Sequence, residues 1–399
     1  MKEVDLAINP YWQAKDLGKA IPSSHHAVSV SLPHWQDVVN YEEKQPQCIN
    51  KLSSVYPRFG FNPFIREISE KVLGSQGKEE WTAWPYPNLL CAESARNYCQ
   101  SISPLSKYQI INFLGLTCLI TDKEASQPAK SFWQHTGLGA SSRQAAIALG
   151  REIEPSPEEG TKSRQIVCNR LKDLYGCRNA SLTLHPSGMA ALTTALNLIS
   201  ILNPNRPTIQ IGFPYVDVLK LPQVIFTGGI LLQKTDLRFL EDQFKKYKPS
   251  AVIVELPSNP MLECVNLIDI ANLAHRNNII VIVDDTIGSA ININSTPYAD
   301  IIFSSLTKSF AGSGDIMAGS LLISPYSRWE KELSKLIPKV LLTILSDSDS
   351  IALEKASKDY KYRIPKLNTA CVTLKRHLES HKAIKRVLHP ELCKNFQSL

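Results

Sequence analysis

A chain of 399 residues, 43% of them apolar and 20% charged, has ample material for a soluble globular fold and is long enough for two or three structural parts. The formal net charge of +7 is spread along the chain, and no basic block carries interleaved aromatics, which argues against nucleic-acid or membrane-surface partners. The nine cysteines are odd in number and form no CxxC pair, so neither a disulfide framework nor a metal site is expected, and a reducing cytoplasmic compartment fits. Met1–Ala7 is acidic too early for a signal peptide and lacks its apolar core; no apolar run approaches bilayer-spanning length.

From the start to about Ser126 the chain is rich in Pro, His, Trp and Tyr, with short runs such as Val28–Pro33 and no repeating βα pattern. His25 and His26 have no acidic or cysteine partner nearby in sequence and read as surface residues rather than metal ligands. A Gly- and Ser-rich loop, Phe132–Arg143, then presents an arginine among small residues. Arg164–Tyr175 has helical apolar spacing with Gly176 as a stop, and Ser181–Leu184 reads as a strand. At Ser187-Gly188-Met189-Ala190-Ala191-Leu192 a helix begins on a small-residue turn, where free N–H groups and the positive dipole end attract an anion. Taken alone, such a Ser-Gly is usually just an N-cap.

Strands are expected at Thr208–Tyr215, Val252–Glu255, Ile279–Val283 and Ala299–Phe303, with a helix at Leu267–Arg276. Strands alternating with helices predict an α/β architecture, a mainly parallel, doubly wound sheet with helices on both faces. Beyond Leu321–Pro325 the pattern changes to helices, Ser327–Ile337 and Ile351–Ser380, the second interrupted or bent at Pro365, and then to a strand-like Ala383–Leu388.

Three of the strands run into polar groups at their carboxyl ends, where open α/β sheets bind ligands: Glu255 to Asn259, Asp284-Asp285-Thr286, and Ser304 to Lys308. A lone lysine at a strand end is ordinarily a surface residue. With those strand ends beside it, Lys308 reads as the carbonyl-binding lysine of a pyridoxal-phosphate enzyme. Ser187–Ala191, Glu255–Pro260, Val283–Thr286 and Ser305–Lys308, in this order, resemble the Cys/Met-metabolism family of pyridoxal-phosphate enzymes, and within it the fungal-type cystathionine γ-synthase branch. Ser29–Pro33, Tyr41-Glu42-Glu43 and Tyr56–Phe59 resemble the amino-terminal extension of that branch. The resemblance implies an aspartate-aminotransferase-like fold of type I. It divides the chain into an extension over 1–126, a cofactor-binding large domain over 127–326 and the helical start of a small domain over 327–399.

The chemistry assigns roles. The Lys308 amine takes the cofactor aldehyde and, freed by substrate, carries protons between carbons. A buried carboxylate must keep the pyridine nitrogen protonated, and Asp284 holds the family position. Neighbouring strand residues point to opposite faces, so Asp285 is expected to be a cap or surface group. The Gly188 and Met189 amides with the Ser305 and Thr307 hydroxyls would hold the phosphate, Ser187 forming the turn. The resemblance adds Asn259 at the ring hydroxyl, Tyr215 stacked on the ring as a cofactor-binding and catalytic residue, and Arg143 reaching a partner subunit's phosphate. From the residues alone, an Arg143 that only packs its loop is the competing reading.

The implied reaction is γ-replacement on an O-acylated homoserine, with cysteine giving cystathionine, by a homodimer or homotetramer. The residues themselves support only a pyridoxal-phosphate enzyme acting on a small amino acid, and a different thiol or a carbon nucleophile in specialised metabolism stays open. The family holds the substrate carboxylate with an arginine late in its small domain, where on the order of a hundred further residues are expected. Arg363, Arg376 and Arg386 do not match that position. An incomplete small domain is therefore expected, and with it a second reading: a truncated paralogue that binds cofactor, or pairs with a complete homologue, and turns over weakly or not at all.

Overall fold

The computed structural model of the chain describes residues 8–395; Met1–Ala7, read above for leader features, lies outside them. Backbone contacts divide the chain into two units. One runs up to Thr161 and takes in Ala311–Met317 and Ser346–Leu353; the other comprises Lys162–Phe310, Ala318–Leu345 and the chain from Glu354.

The first unit holds an antiparallel sheet of three strands, β1 (Thr82–Tyr86), β2 (Tyr108–Phe113) and β3 (Leu116–Thr121), with β3 in the middle. Sequence reading missed it. The β2–β3 turn is Leu114-Gly115 with φ of 50° and 82°, the two-residue geometry that favours Asn-Gly, so the usual hairpin signal is absent. Every residue of β3 is buried, which removes the alternation that marks a half-exposed strand. Helix Pro63–Ser75 packs Phe64, Ile65, Ile68 and Val72 against Leu116, Cys118 and Ile120. His26 is not a surface residue: it is 8% exposed, with Nδ1 2.9 Å from Ser142 Oγ and Nε2 2.6 Å from Glu152 Oε1. Its acidic partner lies 126 residues away, invisible to a local reading.

The second unit is built on seven strands, β4 (Ser181–His185), β5 (Thr208–Ile211), β6 (Gly229–Leu232), β7 (Ala251–Glu255), β8 (Ile280–Asp284), β9 (Ile301–Ser305) and β10 (Gly319–Ile323). Their order is β4-β10-β9-β8-β7-β5-β6, and only β10 runs antiparallel to its neighbours. The mainly parallel α/β sheet expected from the sequence is thus present. Ile253, Ile282, Phe303 and Leu321 face Leu192 and Leu196 of helix Gly188–Leu202 and Leu333 of helix Glu330–Val340. Alternate residues Val252, Val254, Val281, Val283 and Ile302 are buried as well, so both faces are covered and the strands read as unbroken apolar runs.

Helix Leu267–Arg276 has the bounds expected, and helix Pro157–Leu174 contains the predicted Arg164–Tyr175 except for its last residue, stopping before Gly176 at φ 65°. The carboxyl-terminal expectations fare less well. Helices Asp347–Ala356 and Tyr360–Ser380 replace the single Ile351–Ser380, and the break precedes Pro365, which sits in the second turn of the later helix. The cause is a distant arginine: Arg170 Nη1 donates to the Glu354 carbonyl at 3.0 Å and to Ser357 Oγ, satisfying the end of the earlier helix. Ala383–Leu388 forms no strand. Among the described residues no helix is long and apolar enough to cross a membrane, and all nine cysteines are free thiols.

Candidate active site

The carboxyl ends of β7, β8 and β9 lie side by side in the second unit. Ser187 caps helix Gly188–Leu202, its Oγ accepting the Ala190 N–H at 3.0 Å, which leaves the Gly188 and Met189 amides in the first turn without intrahelical acceptors. The helix start is pressed onto the sheet. A Cβ on Gly188 would stand 3.0 Å from Ser305 Cα, and one on Gly319 would stand 2.2 Å from the Ser187 carbonyl oxygen and 2.6 Å from Gly188 N. Both glycines are required by close backbone approach. Gly319→Ala is therefore expected to displace the helix start, costing about 1–3 kcal/mol by overpacking and weakening phosphate-ester binding, as a thermal melt and a pyridoxal-phosphate titration would show. An unchanged affinity would separate this helix start from the phosphate.

Of the two hydroxyls expected at the phosphate, Ser305 ends β9 and is half-buried, its N–H donating to Thr286 Oγ1 at 2.9 Å. Thr307 lies beyond the strand, so the two-residue period does not place it on the Ser305 face. Its hydroxyl is 3.0 Å from the Ala318 N–H that it accepts and bridges back to the Ala318 carbonyl at 3.3 Å, and the residue is buried.

Three carboxyl groups are buried side by side. Glu255 closes β7 and is the register partner of Asp284, which closes β8; Asp285 follows. Thr286 N–H donates to Asp284 Oδ1 at 3.0 Å. Burial pushes the Asp284 carboxyl up to about 6, against the pull of the Thr286 hydrogen bonds. Burial, with the Asp284 charge next, pushes Glu255 up to about 8. Asp285 is raised to about 7, chiefly by burial. Asp285 is neither a cap nor a surface group: it is fully buried, and Tyr175 OH donates to its Oδ2 at 2.8 Å. That correction turns on a tyrosine 110 residues away. None of the three carboxyls forms an ion pair among the described residues, so the site lacks the cation that would repay their burial.

Lys308 is exposed in the turn after β9, with its backbone N–H 3.3 Å from the Ser305 carbonyl. Tyr215 is half-buried; its N–H donates to Glu255 Oε2 at 2.8 Å and its hydroxyl to Asp217 Oδ2 at 3.1 Å. Asn259 is exposed on the loop after β7. A cavity of about 780 Å³ opens at the ends of β5, β6 and β7, with Phe213, Glu255 and Ser258 on one wall and Arg386 on another. Arg363 donates to the Ser309 carbonyl at 3.1 Å and the Phe310 carbonyl at 2.8 Å, holding the segment just after Lys308. Arg376 is exposed on its helix. Arg143 belongs to the first unit, where its side chain is 11% exposed and its guanidinium donates to the Asp315 carbonyl at 2.8 Å and to Asp349 Oδ1 at 3.3 Å.

A buried carboxylate without a cation, a helix start opened by glycine and an accessible amine suit a protonated pyridine nitrogen, a phosphate and an aldehyde respectively, the three polar ends of one cofactor. The chain is of the class of pyridoxal-phosphate-dependent enzymes. It belongs to the family described as Cys/Met metabolism PLP-dependent enzyme, whose model matches residues 159–398, and the model for the N-terminal domain of fungal trans-sulfuration enzymes matches residues 64–141. It is similar to the cystathionine γ-synthase of Neurospora crassa, 25% identical over 94% of this chain and 82% of that protein. It is also similar to the L-2-amino-4-chloropent-4-enoate dechlorinase/desaturase of Streptantibioticus cattleyicolor, 26% identical over 93% of this chain and 77% of that protein. Among solved structures, the cystathionine γ-synthase of Xanthomonas oryzae pv. oryzae matches with a TM-score of 0.51 at 21% identity over 61% of this chain and 62% of that one, which supports the fold. The match thus spans less than two thirds of that structure.

Proposed function

We propose that the chain catalyses pyridoxal-phosphate-dependent replacement at the γ-carbon of an O-acylated homoserine, as a cystathionine γ-synthase does. The observation that carries the reading is Asp284, buried at a strand end with no cation partner among the described residues, in the unit that also supplies the Gly188 helix start and Lys308. When bound, the cofactor supplies the electron sink that makes Cα–H and Cβ–H acidic. Asp284 holds the ring nitrogen protonated, and Thr286 orients its carboxylate. The Gly188 and Met189 amides and the Ser305 hydroxyl would donate to the phosphate, Tyr215 would cover the ring face and Asn259 would meet the ring hydroxyl. Lys308 would take the Cα proton and, after passing it on, a Cβ proton of the amino acid; the acyloxy group would leave Cγ as a carboxylate, the cysteine thiolate would bond to Cγ in its place, and the lysine would return one proton to Cβ and one to Cα.

Arg143 reaching a neighbouring subunit's phosphate would require exchange of its contacts to Asp315 and Asp349. A second reading, replacement or elimination with another nucleophile, is favoured by the dechlorinase relative, whose named substrate carries its chlorine on carbon 4, the same γ-carbon. The purified chain should be assayed with O-acetylhomoserine and cysteine, then with other thiols and stabilised carbon nucleophiles, reading products by mass. Cystathionine formation lost in Lys308→Ala is the expected result. Turnover only with a different nucleophile selects the second reading, and no turnover of the ester with any of them discards both.

A further inference from the structure

Glu255 has no role in the chemistry above, yet its burial is expensive. It ends a strand whose other residues are all apolar, is 6% exposed, and stands beside a second buried carboxyl, its register partner Asp284. Removing an isolated carboxylate from water costs several kcal/mol, and an adjacent like charge adds to it. A carboxyl kept under those conditions has to be satisfied by strong donors. Its donor is a backbone N–H group: Tyr215 N–H reaches Oε2 at 2.8 Å. That amide belongs to the segment after β5, at the cap of helix Val216–Ile225.

We propose that Glu255 is a positioning residue whose carboxyl group ties the Tyr215 segment to the strand end beside Asp284, fixing the group that covers the cofactor ring against the one that meets its nitrogen. This rests on the cofactor reading above. A carboxyl oxygen accepts the segment's N–H, which neither a leucine nor any other apolar side chain can do.

The test uses the full chain. In Glu255→Leu without cofactor, the Tyr215 amide should exchange with deuterium at least about tenfold faster, with the remainder of the sheet unchanged. Pyridoxal-phosphate dissociation should weaken about tenfold, equivalent to about 1.4 kcal/mol, and the induced visible dichroism of the bound cofactor should fall. The melting temperature should hold or rise, because a buried polar group has been replaced by an apolar one of similar volume. Glu255→Gln, which keeps a carbonyl acceptor, should recover most of the protection. Unchanged exchange at the Tyr215 amide in Glu255→Leu overturns the proposal, as does faster exchange throughout the unit with a lowered melting temperature, which would mark a purely structural residue. If the native chain binds no pyridoxal phosphate, the functional reading fails while amide exchange still decides whether Glu255 ties the Tyr215 segment.

Discussion

Lys308→Ala is expected to remove the visible absorbance that the protein confers on added pyridoxal phosphate and to lower turnover by at least about 10²–10⁴-fold, the range supplied by one positioned proton carrier. The loss should exceed that range if the covalent tie to the cofactor also fails. Because Lys308 is exposed in a turn, alanine leaves no cavity and the melting temperature of the cofactor-free protein should stay within about 0.5 kcal/mol of the native value in stability terms. Phosphate-side contacts survive, so pyridoxal phosphate should still bind noncovalently, measurable by fluorescence quenching. A variant that retains the visible band would assign the amine to another lysine and break the link between β9 and the chemistry.

The cofactor-free protein should lose stability as pH rises from about 4 to about 8, opposite to the usual behaviour of salt-bridged carboxylates. Glu255, Asp284 and Asp285 have ordinary values of 4.5, 3.8 and 3.8, and the fold raises them to about 8, about 6 and about 7. In the unfolded chain these groups release their protons near pH 4, whereas the folded protein still holds them. Within that window the folded state binds more protons, so stability is full below about pH 4 and declines until the folded values are passed. For Asp284 alone the difference is worth about 3 kcal/mol. Asp284→Asn and Asp285→Asn should each flatten the decline in a series of thermal melts, and only the first should slow α-proton exchange, since an amide cannot hold the ring nitrogen protonated. Saturating pyridoxal phosphate should also flatten it by supplying the missing cation, adding about 2.7 kcal/mol at a hundredfold excess over the dissociation constant. A melting temperature that climbs with pH across this range would show that the carboxyls are paired or solvated in solution.

What could be read from the chain by itself was whatever leaves a local signature. Val252–Val254, Ile280–Val283 and Ile301–Phe303 are apolar runs because both sheet faces are covered, and each ends in the polar group that the strand delivers. Ser187 announces a helix start because a cap needs only a side chain and the next turn of backbone. Those signals, in order, sufficed for the fold class, the cofactor and the family. Partners distant in sequence were decided by tertiary structure alone. Arg170 breaks a helix 184 residues later, and Tyr175 makes Asp285 an interior group. Ala318 engages the Thr307 hydroxyl, and β10 enters the sheet antiparallel between β4 and β9. Glu255 was legible as a charge at the end of an apolar strand, but its use was not, because the Tyr215 amide that it accepts reaches it only after β5 and β7 pair in register. Periodicity and capping depend on neighbours within a few residues of one another, whereas burial of a charge and the identity of its donors depend on which strands the folded sheet sets side by side.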